Sequence, residues 1–244
     1  MTHILCIAAL AVVMVSAPAG AQTQTNAASA PAVSAADREK ATEAKHINPI
    51  LAALKLADTA KEAQVHDILA AQLKALNTWH AANDAQIKAL WNEFNKARGK
   101  QNETNAEAAL AKIDAVYATF QPQHEKFIAD LSTVLSPEQI ETVKDVLTIN
   151  KVEITFKAYG EIFHGLTDEQ KEFLLKNLKA AREQAIDAGA MTEKSLFFKK
   201  YKIKIEAYLT AQGYDVKQAY RDFVAQQKAE AGTKSAAATT PPQE

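Results

Sequence analysis

A reciprocal helix-start signature recurs along this chain and constrains its fold more than any other feature. Ser, Thr or Asp followed three residues later by Glu or Gln satisfies two orphan amide donors at a helix N-terminus. The pattern occurs at Thr59/Glu62, Thr104/Glu107, Ser136/Gln139, Thr167/Gln170 and Asp215/Gln218. Pro137 at the first helical position strengthens the third start, and Leu135 before it can staple onto Ile140. Gly189 and Gly213 sit where left-handed C-caps belong. With only 7 Gly and 7 Pro in 244 residues, long helices are favoured over a turn-rich sheet architecture. The expectation is an all-α protein: a single helical domain built on a long antiparallel helix hairpin with four or five further helices, flanked by disordered termini. The intervals between caps are irregular, which argues against a tandem repeat.

Residues 1–21 read as a signal peptide, with an apolar run over 4–15 and Ala19-Gly20-Ala21 at the cleavage position. That run is too short to span a membrane well. Its leading end lacks Lys and Arg, so a retained short anchor is the alternative. Residues 22–36 are Ala/Ser/Pro-rich and read as a flexible linker, residues 37–227 as the helical domain, and residues 228–244 as a disordered tail. The only cysteine, Cys6, would leave with the signal, so no disulfide or thiol chemistry is expected. A periplasmic or secreted location follows from this reading, with no stable membrane insertion after cleavage. The net charge of −1 argues against a nucleic-acid partner.

The hairpin is legible from two apolar stripes at helical spacing. Over 59–98 the stripe is Val65, Leu69, Leu73, Leu76, Ile87, Leu90 or Trp91, and Phe94, interrupted by His80 and Asn83. Over 104–135 it is Leu110, Ile113, Tyr117, Phe120, Phe127, Leu131 and Leu135, interrupted by His124. The polar link 99–103 is short enough to fold the two helices antiparallel. Pairing Phe94 with Leu110, Trp91 with Ile113 and Ile87 with Tyr117 places His80 level with His124, with Pro122 as the point where a kink would shift that register. The β-branched segment 146–163 is assigned to helix, because Val152, Phe156, Tyr159 and Phe163 repeat at helical spacing.

Polar residues at helical spacing supply the candidates for chemistry. His80 has Asp84 one turn on, and Glu183 and Asp187 form a carboxylate pair beside Arg182. These could serve a ligand, the acids through hydrogen bonds and Arg182 by forking onto a carboxylate, or they could be satisfied core and surface residues. No complete catalytic motif is present, no metal-ligand spacing is tight, and no cofactor is implied. Phe197, Tyr201, Ile205 and Tyr208 form a packing stripe, while Lys194, Lys199, Lys200, Lys202 and Lys204 surround it as a basic patch that suits an anionic partner such as an acidic sugar.

The run VKDVLT from Val143, LTDEQK from Leu166, AREQAIDAG from Ala181, KYKIKIEAYLTAQGYD from Lys200 and HAANDAQIK from His80 together resemble a secreted bacterial domain-of-unknown-function family, number 3826. The resemblance spans nearly the whole expected domain and implies a sugar-binding protein that works beside exported polysaccharide-degrading machinery. The chain departs from the family pattern at Asn83, Ile203 and Glu206-Ala207. Taken with the hairpin register, the matching residues point to a pocket between the hairpin and the C-terminal helices. Its ligand-binding candidates are His80, Asp84, His124, Lys144, Asp145, Arg182, Glu183, Asp187, Lys200 and Lys204. A carbohydrate or related polar compound is the expected ligand. Two alternatives stay open: a periplasmic chaperone-like helical protein, suggested by LSPEQ and LTDEQ, and a glycan-active enzyme using Glu183 or Asp187 with His80 or His124. The oligomeric state is left open.

Overall fold

A computed structural model describes residues 35–238, and side chains over 40–230. The expected signal peptide, residues 22–34 of the linker and residues 239–244 lie outside the described residues. Among the described residues the chain is all-α, with nine helices and no strand. These are α1 (Ala35–Leu54), α2 (Thr59–Gly99), α3 (Glu103–Ala118), α4 (Gln121–Ser132), α5 (Pro137–Leu147), α6 (Lys151–Ile162), α7 (Asp168–Ala185), α8 (Met191–Ala211) and α9 (Val216–Ala238). None of the described helices is long and apolar enough to cross a membrane.

The helix starts follow the sequence signature closely. Ser136 with Gln139 and Thr167 with Gln170 form complete capping boxes, and Asp215 accepts from the Gln218 amide at 2.9 Å. At two starts a stronger neighbour takes the role. Asp58 caps α2 by accepting from Ala60 N at 2.8 Å and Lys61 N at 3.3 Å, and Asn102 caps α3 through Asn105 N at 3.0 Å. Both stand just before the expected threonines, consistent with Asp and Asn outranking Thr as N-caps.

Several expectations need correction. The second arm of the hairpin is two helices, because the chain breaks at Thr119–Phe120 before α4. Pro122 falls in the first turn of α4, where its missing N–H removes no helical bond. The ion pair Lys112–Glu93 at 3.5 Å fits the expected register near the turn. Beyond the break, Gln123 reaches Gln72 at 3.0 Å instead, about two and a half turns nearer the N-terminus of α2 than expected. At the termini, α1 already begins at Ala35 within the expected linker, and α9 continues through the expected start of the tail to Ala238, because Ala, Lys and Glu favour helix. Gly213 is left-handed, with φ 93°, but Gly189 is not.

Two apolar cores result. The larger joins Ile87, Trp91, Phe94 and Ile113 of the hairpin to Leu174 and Leu178 of α7 and Phe197 and Ile205 of α8. The Phe197 ring stands edge-on to Trp91 and Tyr117, at 5.3 and 4.9 Å between centroids. The smaller core gathers Ile47 and Ile50 of α1, Val65 and Leu69 of α2, Phe127 and Leu131 of α4, and Ile140 and Val143 of α5. Only α2 contributes buried side chains to both, and between its two apolar stretches it carries the buried polar residues Gln72 and His80. A polar seam therefore separates the cores.

Candidate functional site

The seam is assembled from α2, α4, α5, α7 and the turn that joins α7 to α8. His80 is buried, and both of its ring nitrogens face acceptors: Nδ1 lies 2.6 Å from Asp84 Oδ1 and Nε2 lies 2.8 Å from the Asp187 carbonyl oxygen. Gly189 explains why the turn can lie so close, since a Cβ there would meet three His80 ring atoms at 3.1 Å. Its role is close approach to an imidazole rather than a left-handed cap.

Across the turn, His124 donates from Nδ1 to Asp187 Oδ2 at 2.8 Å, while its Nε2 has no protein partner among the described residues. The bond to Asp187 raises the His124 pKa above the usual histidine value, against the opposing effect of burial. Burial pushes the Asp187 carboxyl up, with His124 and Lys194 working the other way. The other carboxylate oxygen, Asp187 Oδ1, is buried without a hydrogen bond. Lys194 of α8 is buried beside it, reaches the Ala185 carbonyl at 3.1 Å, and is pushed by desolvation down to about 8.

Arg182 organises the other half of the seam. Its side chain is 2% exposed, yet it donates from Nη1 to Asp145 and from Nη2 to Glu141, both at 2.6 Å. Burial opposes its charge, but those two carboxylates prevail and raise its pKa. Glu141 is the mirror of this: burial would raise its pKa, and Arg182 holds it below the ordinary value. Lys144 bonds Glu183 at 3.0 Å and Lys179 approaches Glu141 at 3.4 Å. The acids Glu141, Asp145 and Glu183 are 39%, 36% and 37% exposed, so they form a rim over a buried cation. Arg182 Nε, like Asp187 Oδ1, is buried and unpaired.

Eight of the ten candidate residues thus come together: His80, Asp84, His124, Lys144, Asp145, Arg182, Glu183 and Asp187. Lys200 and Lys204 do not join them. Lys200 bonds Asp114 at 2.6 and 2.8 Å and Gln184 at 3.1 Å, and Lys204 is exposed further along α8. The eight converge chiefly on one another. Three surface hollows of about 300, 520 and 350 Å³ are lined by none of His80, His124, Arg182 or Glu183, and the third includes Lys200 and Lys204. Glu141, Gly189 and Lys194 were missed as seam residues. Glu141 carried a signal, standing one turn before Asp145 on the α5 face that an arginine would have to neutralise.

Chemically, the arrangement offers acceptors about a third exposed, fixed by buried Arg182 and largely buried Lys144, and an imidazole oriented by a carboxylate. Among the described residues no group of His, Cys, Asp and Glu is placed to hold a metal ion. The sequence matches a family described as "Protein of unknown function (DUF3826)" over residues 39–229. The comparison with curated proteins finds no match.

Proposed function

We propose that this chain, which belongs to the family of unknown function DUF3826, binds a carbohydrate or related polar ligand along the polar seam and works as an exported protein beside polysaccharide-degrading machinery. The observation that carries the reading is the rim of Glu141, Asp145 and Glu183, held over buried Arg182 and the largely buried Lys144, near His124, whose Nε2 has no partner among the described residues. Sugar hydroxyls need acceptors and donors whose orientation is fixed before binding, because ordering them afterwards costs affinity. Buried cations fix the rim acids, and Asp187 fixes the imidazole. Export rests on residues 1–21, read from sequence.

A glycan array followed by thermal-shift measurements tests this proposal. A binding glycan raises the melting temperature of the native chain, and the rim variant Glu183→Gln, which keeps shape and removes charge, loses that rise. Absence of stabilisation by any glycan removes the basis for sugar binding. One observation favours a second reading, proton transfer on the bound glycan: Asp187 holds His124 Nδ1 while Nε2 has no protein partner among the described residues. Turnover of a bound glycan that disappears in His124→Gln, with binding kept, would establish it. The chaperone-like alternative has less behind it, because both of its sequence segments are accounted for as capping boxes at Ser136 and Thr167.

A further inference from the structure

Lys200 and Lys204 face a hollow of their own, and we infer that this hollow binds a small aromatic carboxylate. It lies between α8 and the turn end of the α2–α3 hairpin and holds about 350 Å³. Its lining is mainly apolar, from Phe94, Ala106 and Leu110 on the hairpin to Tyr201, Ile203 and Ala207 on α8. Phe94 and Ala106 belong to the buried core, so the floor is rigid. The volume stands at the low end of small-molecule sites, about 300–1,000 Å³, which fits one substituted ring rather than a polymer. Tyr201, half-buried in the wall, can meet a ring edge or face, an attraction beyond that of buried area alone.

The charges at the mouth select the other half of the ligand. Arg98 is already committed to both oxygens of Glu103 at 2.5 Å, and Lys200 to Asp114 and Gln184. What remains is Lys204 and Glu107 in the lining, and Lys199, whose Nζ sits 5.9 Å from the centre of the Phe94 ring with Asn95 as its hydrogen-bond partner. The lining itself carries three cations, Arg98, Lys200 and Lys204, against the two acids Glu103 and Glu107, and Lys199 adds a further cation beside the Phe94 ring, so the mouth attracts an anion. A neutral sugar fits poorly, because most of its hydroxyls would lose water against apolar side chains with few unengaged groups to replace it. The hollow shares no lining residue with the polar seam, so either site can fail while the other stands.

Isothermal titration of the full chain with 4-hydroxycinnamate, with its amide and glucose as comparators, tests the inference. The expected result is one-to-one binding of the anion, weakened by up to about fivefold for the amide, the scale of one lost exposed charge contact, and further in Lys204→Glu, which reverses that charge. Ala207→Phe, at an exposed position on α8, should fill the mouth and abolish binding with the melting temperature unchanged. Equal affinity for the amide, competition by glucose, indifference of both variants, or no binding of the anion would each overturn it.

Discussion

The polar seam, set by α2, α4, α5, α7 and the α7–α8 turn, and the hollow between α8 and the hairpin are built on opposite principles. At the seam most strong charges answer one another: Arg182 has Asp145 and Glu141, Lys144 has Glu183, His124 has Asp187. At the hollow, apolar side chains set the shape and Lys204 is left unengaged at the rim. Convergence of charge is therefore not the same property as readiness to bind. A buried network raises the cost of disturbing the fold, whereas an idle charge over an apolar floor costs the fold little and is free to select a ligand.

The contrast is broken most directly at Arg182. Removing one partner of a buried ion pair costs about 3–5 kcal/mol, and the third-exposed acids here let water recover part of that loss. Arg182→Ala should therefore destabilise the chain by about 3 kcal/mol in urea denaturation, with Arg182→Met milder because it restores the buried volume. A loss below about 1 kcal/mol would put this arginine on a par with an exposed one, and the distinction between the two regions would dissolve.

Lys194 gives an effect of similar size that only pH reveals. Its folded pKa of about 8 lies below the ordinary lysine value of 10.5. At neutral pH both the folded and unfolded chain carry the proton, and the folded chain bears the cost of a buried charge. As pH rises from about 8 to 10.5 the unfolded chain holds more protons, so stability increases, by roughly 3 kcal/mol in all. The difference between the native chain and Lys194→Met, followed by denaturation across that window, isolates this slope. A flat difference would mean that the Lys194 ammonium is better solvated than its burial implies.

Two smaller perturbations act on the turn between α7 and α8. In Gly189→Ala the new methyl presses on a His80 ring held from both nitrogens, which cannot easily yield, and overpacking of this kind costs about 1–3 kcal/mol. For His124 the folded pKa is raised, so the stability its bond to Asp187 provides is fully present below about pH 6.5 and is lost as pH rises through the higher folded value. His124→Gln should abolish that loss. Thermal melts between pH 5 and 8 compare the two chains, and a native profile as flat as that of the variant would sever His124 from Asp187 in solution.

Much of this fold was legible because its signals are local. Capping boxes at Ser136 and Thr167 and the apolar stripes of α2 and α8 need only neighbouring residues to act. The break at Phe120 was not, since Pro122 is compatible with a kinked helix as well as with a new one, and the choice rests on how α4 packs into the smaller core with Ile47 and Val143. His80 and His124 are not level as the register predicted, yet both reach one residue, Asp187, one through its carbonyl and the other through its carboxylate. Glu141 and Gly189 were invisible for a different reason. What makes them matter is a partner some forty or a hundred residues away, Arg182 for one and His80 for the other.

The smallest expected change is the one that sharpens the contrast most. Lys204 is exposed and holds no ion pair among the described residues, so Lys204→Glu should move stability by no more than about 0.5 kcal/mol, the usual range for a surface substitution. Glu183→Gln at the seam removes an acceptor from Lys144, itself mostly buried, and should cost about 1 kcal/mol as a hydrogen bond to a charged group is weakened. Measured side by side by urea denaturation, the pair separates a residue that holds the molecule together from one that the fold leaves idle. Equal losses at the two positions would show that Lys204 is engaged in packing α8 against the hairpin, and its charge would then be structural rather than available to a ligand.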